Sequence, residues 1–444
     1  MLFRFLFATV LAGAISPGMA GAEKAVSFKK EIAPLLQRRC VACHGEDSAK
    51  GGYRLDTFAR LARAGDSDLP ALTPRKPDDS ELYVLLLESD SQDRMPQKAE
   101  ALPEVETALI RRWIEQGAIN DGGPPDRALA ELTRESLLLA APGKYARPMP
   151  VTALAFSPDG TQLAASGYYE VTIWNVETGS LVRRIAGLPE RITSLAWDAK
   201  TKLLAVGGGT PAQWGTVALV DPSNDASPQF LCDLPEMALS VAFNPERSQL
   251  AAGSGDRTIR FFDVKNRRQT RVIRPHADWV QSIAYSADGA HLVSTSRDRT
   301  IRVASTAVGE VEATYTGHET ATLTAIFSRD GKTAFSLAHA GPLHIWDPAS
   351  GKRKTEKPFQ IPGRPDRVAW LGNELVTTGA DGIVRVYQPN EQQLTRTLHG
   401  HRDAITSLAI SRVPGIFATG SYDGTVCVWN TACETWVQKI IASP

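Results

Sequence analysis

The segment PLHIWD, residues 342–347, ends on a Trp-Asp pair and is one copy of a pattern that recurs along the chain. Six other segments share its alternation of apolar residues: EVTIWN at 170, TVALVD at 216, TIRFFD at 258, TIRVAS at 300, IVRVYQ at 383 and TVCVWN at 425. The fifth residues of the seven copies are spaced 46, 42, 42, 42, 41 and 42 positions apart. This period predicts the four-stranded blades of a β-propeller.

A second strand-like segment precedes each of these copies. It is apolar, alternating and followed by a turn, and it stands as AFSPDG at 155, AWDAKT at 196, AFNPER at 242, AYSADG at 284, IFSRDG at 326, AWLGNE at 369 and AISRVP at 409. Seven copies predict a closed seven-bladed ring over residues 149–444, in which TWVQKIIASP supplies an outer strand. A ring leaves only short, protected strand edges.

The repeats resemble WD40 repeats, with the dipeptides Trp346-Asp347, Gly317-His318 and Gly400-His401 at the expected places. The resemblance implies that the histidines satisfy buried polar groups and take no part in catalysis. Val220 and Ala304 stand where Trp is expected in repeats two and four, so the hydrogen-bonded cluster is not predicted for those two. Their strand pattern is preserved.

Residues 23–120 are predicted to form a small all-α domain. Apolar residues have helical spacing in SFKKEIAPLLQRRC (27–40), SELYVLLLES (80–89) and PEVETALIRRWIEQGA (103–118). The following stretch, 121–148, opens on DGGPPD and is predicted to be a linker with one short helix possible in RALAELTRESLLLA (127–140). The expected fold class is therefore multidomain, with a small all-α domain followed by an all-β propeller.

The helical domain contains the motif C-x-x-C-H at Cys40, Cys43 and His44. Such a motif can bind zinc, form a redox disulfide or attach a haem. Zinc needs four ligands, and residues 23–120 offer no further cysteine or histidine. A redox disulfide is typical of a βαβ setting, whereas this region is helical. Haem is favoured, because two thiols can bond its vinyl groups while the adjoining imidazole reaches the iron.

Met95 is predicted as the second protein ligand of the iron. The far side of haem iron in electron carriers is closed by Met or His, and the domain has no second histidine. Of the methionines that follow the first 22 residues, Met149 lies at the end of the linker and Met237 in the propeller. Met95 lies in the polar loop DRMPQKAEALP (93–103), where a core methionine is unusual.

The first 22 residues are predicted to be a secretory signal peptide. Arg4 precedes a short apolar run, and Ala20-Gly21-Ala22 is a cleavage site of the A-x-A type. The alternative, a retained anchor, needs about 20 apolar residues. No other segment is long and apolar enough to span a membrane, so we expect an exported, periplasmic protein. For the other three cysteines, Cys232, Cys427 and Cys433, the sequence leaves the formation of a disulfide open.

The helical domain as a whole resembles the planctomycete-type cytochrome c family. The matching stretches are IAPLLQRRCVACHG, KGGYRLDT, PRKPDDSELY, DRMP and LIRRWIEQGA, which cover most of residues 28–118. The resemblance implies a cytochrome c-like domain with one covalently bound haem c. Cys40 and Cys43 would form its thioethers, and His44 and Met95 would bind its iron. The resemblance implies no substrate.

These features favour a monohaem protein that transfers single electrons, with the propeller as a docking scaffold. The partner would be an oxidoreductase or a respiratory electron acceptor, and enzymatic activity is less expected than electron carriage. Lys+Arg and Asp+Glu both total 49, which gives no chain-wide attraction to nucleic acid. The alternative is a haem-based sensor of redox state or ligand, or an assembly scaffold. GGGTPAQWG (207–215) and KNRRQTRVIRPH (265–276) are possible docking segments.

Overall fold

The computed structural model describes residues 24–45, 48–245, 249–356, 359–431 and 436–442. The predicted signal peptide and Cys433 lie outside the described residues. Within them, a helical unit is followed by a β-propeller.

Six α-helices form the helical unit within the described residues: α1 (Ala33–Arg39), α2 (Val41–His44), α3 (Phe58–Leu61), α4 (Glu81–Leu87), α5 (Glu104–Glu115) and α6 (Leu129–Leu137). Trp113 of α5 lies at the centre of the core, 1% exposed, and its ring stacks on Phe28 with 5.5 Å between centroids. Its indole N–H donates to the carbonyl of Ile119 at 3.1 Å. The apolar face of α5 therefore buries the largest side chain of the unit without leaving its polar atom unpaired.

Helix α6 lies within the span predicted as a linker, and it contacts both units. Leu129 and Leu132 are buried in the core of the helical unit. Arg134 of the same helix forms an ion pair with Asp233 of the propeller at 2.7 Å. The same guanidinium lies 4.7 Å from the ring centroid of Phe230. Residues 121–148 therefore include a packed helix that connects the two units.

Five four-stranded antiparallel sheets form separate blades of the propeller. Their strands are β8 (Ala238–Phe243), β9 (Gln249–Ser254), β10 (Ile259–Asp263) and β11 (Arg268–Ile273); β12 (Val280–Tyr285), β13 (His291–Ser296), β14 (Ile301–Ser305) and β15 (Val311–Tyr315); β16 (Thr322–Phe327), β17 (Ala334–Ala338), β18 (His344–Asp347) and β19 (Lys352–Arg353); β20 (Pro365–Leu371), β21 (Glu374–Gly379), β22 (Ile383–Gln388) and β23 (Gln393–His399); β24 (Ile405–Ile410), β25 (Ile416–Ser421), β26 (Thr425–Asn430) and β27 (Trp436–Ile441).

The first two repeats share one seven-stranded sheet, so the prediction of seven separate blades is wrong. Its strands are β1 (Leu154–Phe156), β2 (Gln162–Ser166), β3 (Tyr168–Asn175), β4 (Leu181–Trp197), β5 (Leu204–Thr210), β6 (Trp214–Val220) and β7 (Gln229–Leu234). The cause is β4, a single strand of 17 residues. Its first part pairs with β3 and its last part with β5, so no loop separates the two repeats.

The ends of the propeller meet through hydrogen bonds between the first and the last blade. The backbone N–H of Val151 donates to the carbonyl of Ser421 at 3.0 Å, and the Ser407 hydroxyl donates to the carbonyl of Val151 at 2.7 Å. Apolar residues from both ends of the propeller sequence form one buried cluster between them. The ring is therefore closed without an exposed sheet edge at this point.

The repeat histidines contact buried polar groups, as the sequence pattern predicts. His401 contacts the Thr419 hydroxyl at 2.7 Å, and the same hydroxyl accepts the indole N–H of Trp429 at 2.8 Å. In repeat four, where Ala304 replaces Trp, the cluster was not predicted but is present. His276 contacts Asp298 at 3.1 Å and Ser294 at 2.9 Å. The histidine and aspartate that connect the strands do not require the Trp.

Two histidines stack inside the blade formed by β16 to β19. The rings of His318 and His344 lie 3.9 Å apart at an interplanar angle of 8°. The Tyr315 hydroxyl lies 2.7 Å from Nδ1 of His344, and the guanidinium of Arg353 is 3.3 Å from the same nitrogen. Burial lowers the pKa of His318 to about 3 and that of His344 to about 4, with the nearby cation of Arg353 adding to both effects.

This histidine pair predicts loss of stability in mild acid. The unfolded chain binds protons on both imidazoles below pH of about 6.5, whereas the folded chain keeps them neutral. The free energy of unfolding should therefore fall as pH drops from about 6.5 towards about 4. Denaturant titrations across this range measure it, and His318→Phe should give a shallower pH dependence. An equal slope in the variant contradicts the assignment.

The segment 207–215, a possible docking loop by sequence, is mainly a longer hairpin between β5 and β6. Trp214 is 1% exposed, and its indole N–H donates to Asp233 at 2.9 Å. Because Asp233 also pairs with Arg134, this side of repeat two is in contact with α6 of the same chain. The basic segment 265–276 includes the outer strand β11, whose Arg271 donates to the carbonyls of Thr306 and Ala307 in the next blade.

Candidate functional site

A largely apolar cleft of about 750 Å³ opens in the helical unit. Three of the four predicted site residues, Cys40, His44 and Met95, line it together. Much of the remaining wall comes from α4, which contributes Leu82, Leu85 and Leu86. Cys40 and Met95, which are far apart in the sequence, therefore line the same apolar cleft.

The two cysteines of the motif have different surroundings. Cys40 is the C-cap of helix α1, and its carbonyl accepts the backbone N–H groups of Cys43 at 3.1 Å and His44 at 3.0 Å. Cys40 faces the cleft, and burial raises the pKa of its thiol to about 12. Cys43 is exposed and is not part of the cleft wall. Both thiols are free, so this tight turn holds no disulfide.

The ring of His44 is oriented by the backbone of Tyr53. Its Nδ1 lies 3.2 Å from the carbonyl oxygen of Tyr53, and the two rings meet edge to face at 5.6 Å. The Tyr53 hydroxyl in turn donates to the carbonyl of Leu61 at 2.9 Å. When Nδ1 carries the proton of this contact, Nε2 keeps its lone pair. This is the arrangement in which protein histidines usually bind a metal.

The glycines of KGGYRLDT allow a close backbone approach at the edge of the cleft. Gly52 has φ of 63°, and a Cβ at this position would lie 2.0 Å from Oδ1 of Asp66. The N–H of Asp66 donates to the carbonyl of Gly51 at 2.8 Å, which joins the two segments of the wall. A side chain at Gly52 would therefore displace the Asp66 carboxylate, and the positive φ would strain any other residue at this position.

Met95 is held by the end of α4. Its backbone N–H donates to the carbonyl of Leu85 at 2.8 Å, and its side chain packs against the apolar core. Because Leu85 also lines the cleft, this bond places the thioether of Met95 beside the apolar wall. The polar loop that carries Met95 therefore presents one soft, uncharged donor to the same space as His44.

Sequence reasoning missed the ion pairs that secure the helix before Cys40. Glu106 of α5 binds Arg38 at 2.9 Å and Arg39 at 3.0 Å. Partial burial raises the pKa of Glu106, but the two guanidinium groups lower it more, so its net pKa is below the usual value. The pairing fixes α1 against α5. The paired residues are separated by 68 and 67 positions in the sequence. No local sequence pattern predicts an ion pair over such a separation.

The described residues contain no group of three or more His, Cys, Asp or Glu side chains that could hold a metal ion. Cys232 and Cys427 lie in the propeller as free thiols, each with a pKa raised by burial to about 12. In the same part of the chain, the helices are all too short or too polar to cross a bilayer.

Comparison with protein families identifies both units. Residues 40–98 match the model of the family described as planctomycete cytochrome C. The WD domain, G-beta repeat model matches residues 145–175, 236–263, 267–304 and 392–430. The first match contains the C-x-x-C-H motif, the glycines of KGGYRLDT and Met95.

The curated relatives are WD-repeat proteins. The chain is 28% identical over 128 residues to the periodic tryptophan protein 2 homolog of Schizosaccharomyces pombe, which covers 28% of this chain and 14% of that protein. It is 31% identical over 143 residues to the WD repeat-containing protein VIP3 of Arabidopsis thaliana, covering 30% and 44%. Identity to the nuclear distribution protein PAC1 of Coccidioides posadasii is 28% over 301 residues, covering 64% and 58%. The chain thus spans less than two thirds of these relatives.

Proposed function

We propose that this chain, which joins a planctomycete-type cytochrome C domain to a WD-repeat β-propeller, is an exported electron-transfer protein that carries one haem c. The observation that carries the proposal is the cleft in which Cys40, His44 and Met95 meet. Cys40 and Cys43 would bind the porphyrin through thioether bonds, and His44 and Met95 would bind the iron. The family match over residues 40–98 supports this assignment.

The residues of the cleft fit such a group. The apolar side chains of α4 give the cleft a largely apolar wall, which suits a flat, hydrophobic macrocycle. The Tyr53 carbonyl holds His44 in the tautomer that leaves Nε2 available. When bound, the haem supplies one-electron redox chemistry, and a thioether donor favours its reduced state. If His44 and Met95 both bind the iron, no coordination position is left on the metal for a substrate.

The propeller serves as the docking surface in this proposal. WD-repeat propellers are protein-interaction scaffolds, and the match to that repeat extends over four segments of the chain. The partner would be an oxidoreductase or a respiratory electron acceptor that the ring holds near the haem. Contact through α6, by way of Arg134 and Asp233, keeps the helical unit beside the propeller. The site of action would be the periplasm, where the predicted signal peptide would direct the chain.

The role of Met95 is tested by Met95→Leu, which preserves side-chain volume but removes the sulfur. We expect the mature wild-type protein, produced with c-type maturation machinery, to show an absorption band of methionine-ligated ferric haem. The variant should lose this band and keep its covalent haem. The matched control, Met237→Leu in the propeller, should retain the band. A wild-type protein that purifies with stoichiometric zinc and no haem would overturn the proposal.

Carbon monoxide distinguishes electron carriage from haem-based sensing. A stable Met95 bond should make the ferrous wild-type protein slow to bind the gas, whereas Met95→Leu should bind it readily. Ready binding by the wild type favours a sensor with a labile ligand. A one-electron redox titration of the same protein then measures whether the centre cycles reversibly, as a carrier must.

A further inference from the structure

A second cavity, of about 490 Å³, lies at the axis of the propeller. It is lined by the innermost strand of six of the seven repeats, namely β1, β4, β8, β12, β20 and β24. Its wall is formed mostly by Ser, Thr, Leu and Gln side chains, with Arg367 as the one charged residue among those that line it. The described residues of this wall include no carboxylate.

Strand register shows that Arg367 occupies a position that hydroxyl residues fill in other blades. In each inner strand, the residue concerned is the first one after a register shift. The pairs are Ser194 with Gly207, Ser240 with Gly253, Ser282 with Thr295, Thr324 with Leu337, Arg367 with Thr378 and Ser407 with Gly420. One guanidinium therefore joins a ring of five hydroxyl groups. Of the six inner-strand residues, namely the first member of each pair, all except Thr324 line the cavity.

Two of the hydroxyl groups in the ring have a hydrogen left over, whereas Ser407 donates its own to the carbonyl of Val151. Ser194 accepts the backbone N–H of Val241 at 3.0 Å, and Ser240 accepts that of Ile283 at 3.1 Å. In both cases the backbone bond uses an oxygen lone pair, so the hydroxyl hydrogen is available to a ligand. A hydroxyl fixed in this way is a preorganised donor towards the axis.

The charge of Arg367 has no carboxylate partner within 4.0 Å in the described part of the chain. Among the residues that the structure describes, its guanidinium donates a hydrogen bond to the backbone carbonyl of Asp366 alone, at 3.3 Å. The Asp366 side chain lies outside the cavity wall, and one of its oxygens is buried without a partner. Burial raises the pKa of Asp366, while the nearby charges of Arg367 and His339 oppose the shift.

We propose that the axial cavity binds a small oxyanion, a carboxylate or a phosphate, through Arg367 and the surrounding hydroxyl groups. A planar guanidinium pairs with two oxygens of such a group, and hydroxyl donors complete its hydrogen bonds. The cavity is independent of the haem cleft, so a failure of either proposal leaves the other intact.

Isothermal titration of the full-length holoprotein with inorganic phosphate, and separately with succinate, tests the proposal at constant ionic strength. We expect saturable binding of at least one of them, and the two titrations identify which oxyanion is preferred. Arg367→Gln should weaken binding about tenfold or more, because it removes a charge-assisted hydrogen bond. Arg367→Lys should restore part of the affinity. Absence of binding to the wild type by both anions overturns the proposal.

A control variant and a second measurement separate binding from folding. Arg329→Gln removes the same charge from an exposed turn and should bind the anion as the wild type does. If Arg367→Gln does not fold, thermal unfolding of the wild type decides the question. Phosphate or succinate should raise its melting temperature above that in chloride of equal ionic strength. Equal melting temperatures, or equal affinity in Arg367→Gln and the wild type, contradict the proposal.

Discussion

Replacing Cys40 and Cys43 together by alanine is expected to abolish covalent haem retention. Each thioether requires its own thiol, and the two thiols lie on one short turn in which the Cys40 carbonyl accepts the Cys43 N–H at 3.1 Å. A denaturing gel stained for haem measures the effect, since only covalently attached haem stays with the chain. The wild-type band should be lost completely in the double variant.

The matched control for this experiment replaces two cysteines outside the helical unit. Cys232 and Cys427 are free thiols inside propeller blades, and neither lines the cleft. Cys232→Ala combined with Cys427→Ala should therefore keep the stained band at full strength. A band that survives in the Cys40 and Cys43 variant, or disappears from the control, contradicts the assignment of the thioethers.

The residues of the proposed haem site could be named from the sequence because their chemistry is rare in it. The motif identifies Cys40, Cys43 and His44, and Met95 follows because the helical domain has no other methionine or second histidine. The structure places three of these four on one cleft. The support of His44 was not predictable, since the Tyr53 contact is made by a backbone carbonyl that every residue possesses. Side-chain identity carries no information about such a bond.

The repeats were predictable from their period, but their division into sheets was not. A spacing of about 42 residues indicates the strands, whereas the sheets depend on whether a chain segment breaks between them. In β4 the backbone turns at Gly187, whose φ of 75° lies in the left-handed region, but strand pairing continues on both sides of it: Ala186 pairs with β3, and Arg191 pairs with both β3 and β5. Helix α6 was placed in a linker because DGGPPD precedes it. Its burial comes from contacts with α1 that only the folded chain defines.

The hydrogen-bonded clusters illustrate a further limit of the sequence pattern. Because position 304 is not Trp, the hydrogen-bonded cluster was not predicted for repeat four. His276 nevertheless contacts Asp298 and Ser294 there. The cluster depends on the polar residues at the ends of the inner strands. The Trp adds apolar volume and one further donor to the shared hydroxyl. These two contributions can be separated by mutation.

Trp429→Ala is expected to lower the free energy of unfolding of the propeller by about 3–5 kcal/mol. The side chain is 1% exposed, and its ring stacks near Phe417 with 6.0 Å between centroids. Truncation leaves a cavity and deprives the Thr419 hydroxyl of the indole N–H that it accepts at 2.8 Å. His401 also binds Thr419, so the loss should spread through the cluster of the last blade. Denaturant titration followed by far-UV circular dichroism measures the change.

The control for this substitution is Trp279→Ala, which removes an equally large ring from a half-buried position. Its neighbour is Arg297, whose guanidinium lies 4.7 Å from the ring centroid. A surface cation–π contact contributes about 0.5–1 kcal/mol, so this variant should be only slightly destabilised. Equal losses in the two variants would show that burial at position 429 adds nothing to the blade. A large loss confined to Trp429→Ala supports the buried cluster as a main stabilising element of the last blade, where Trp429 packs with apolar residues of the preceding blade.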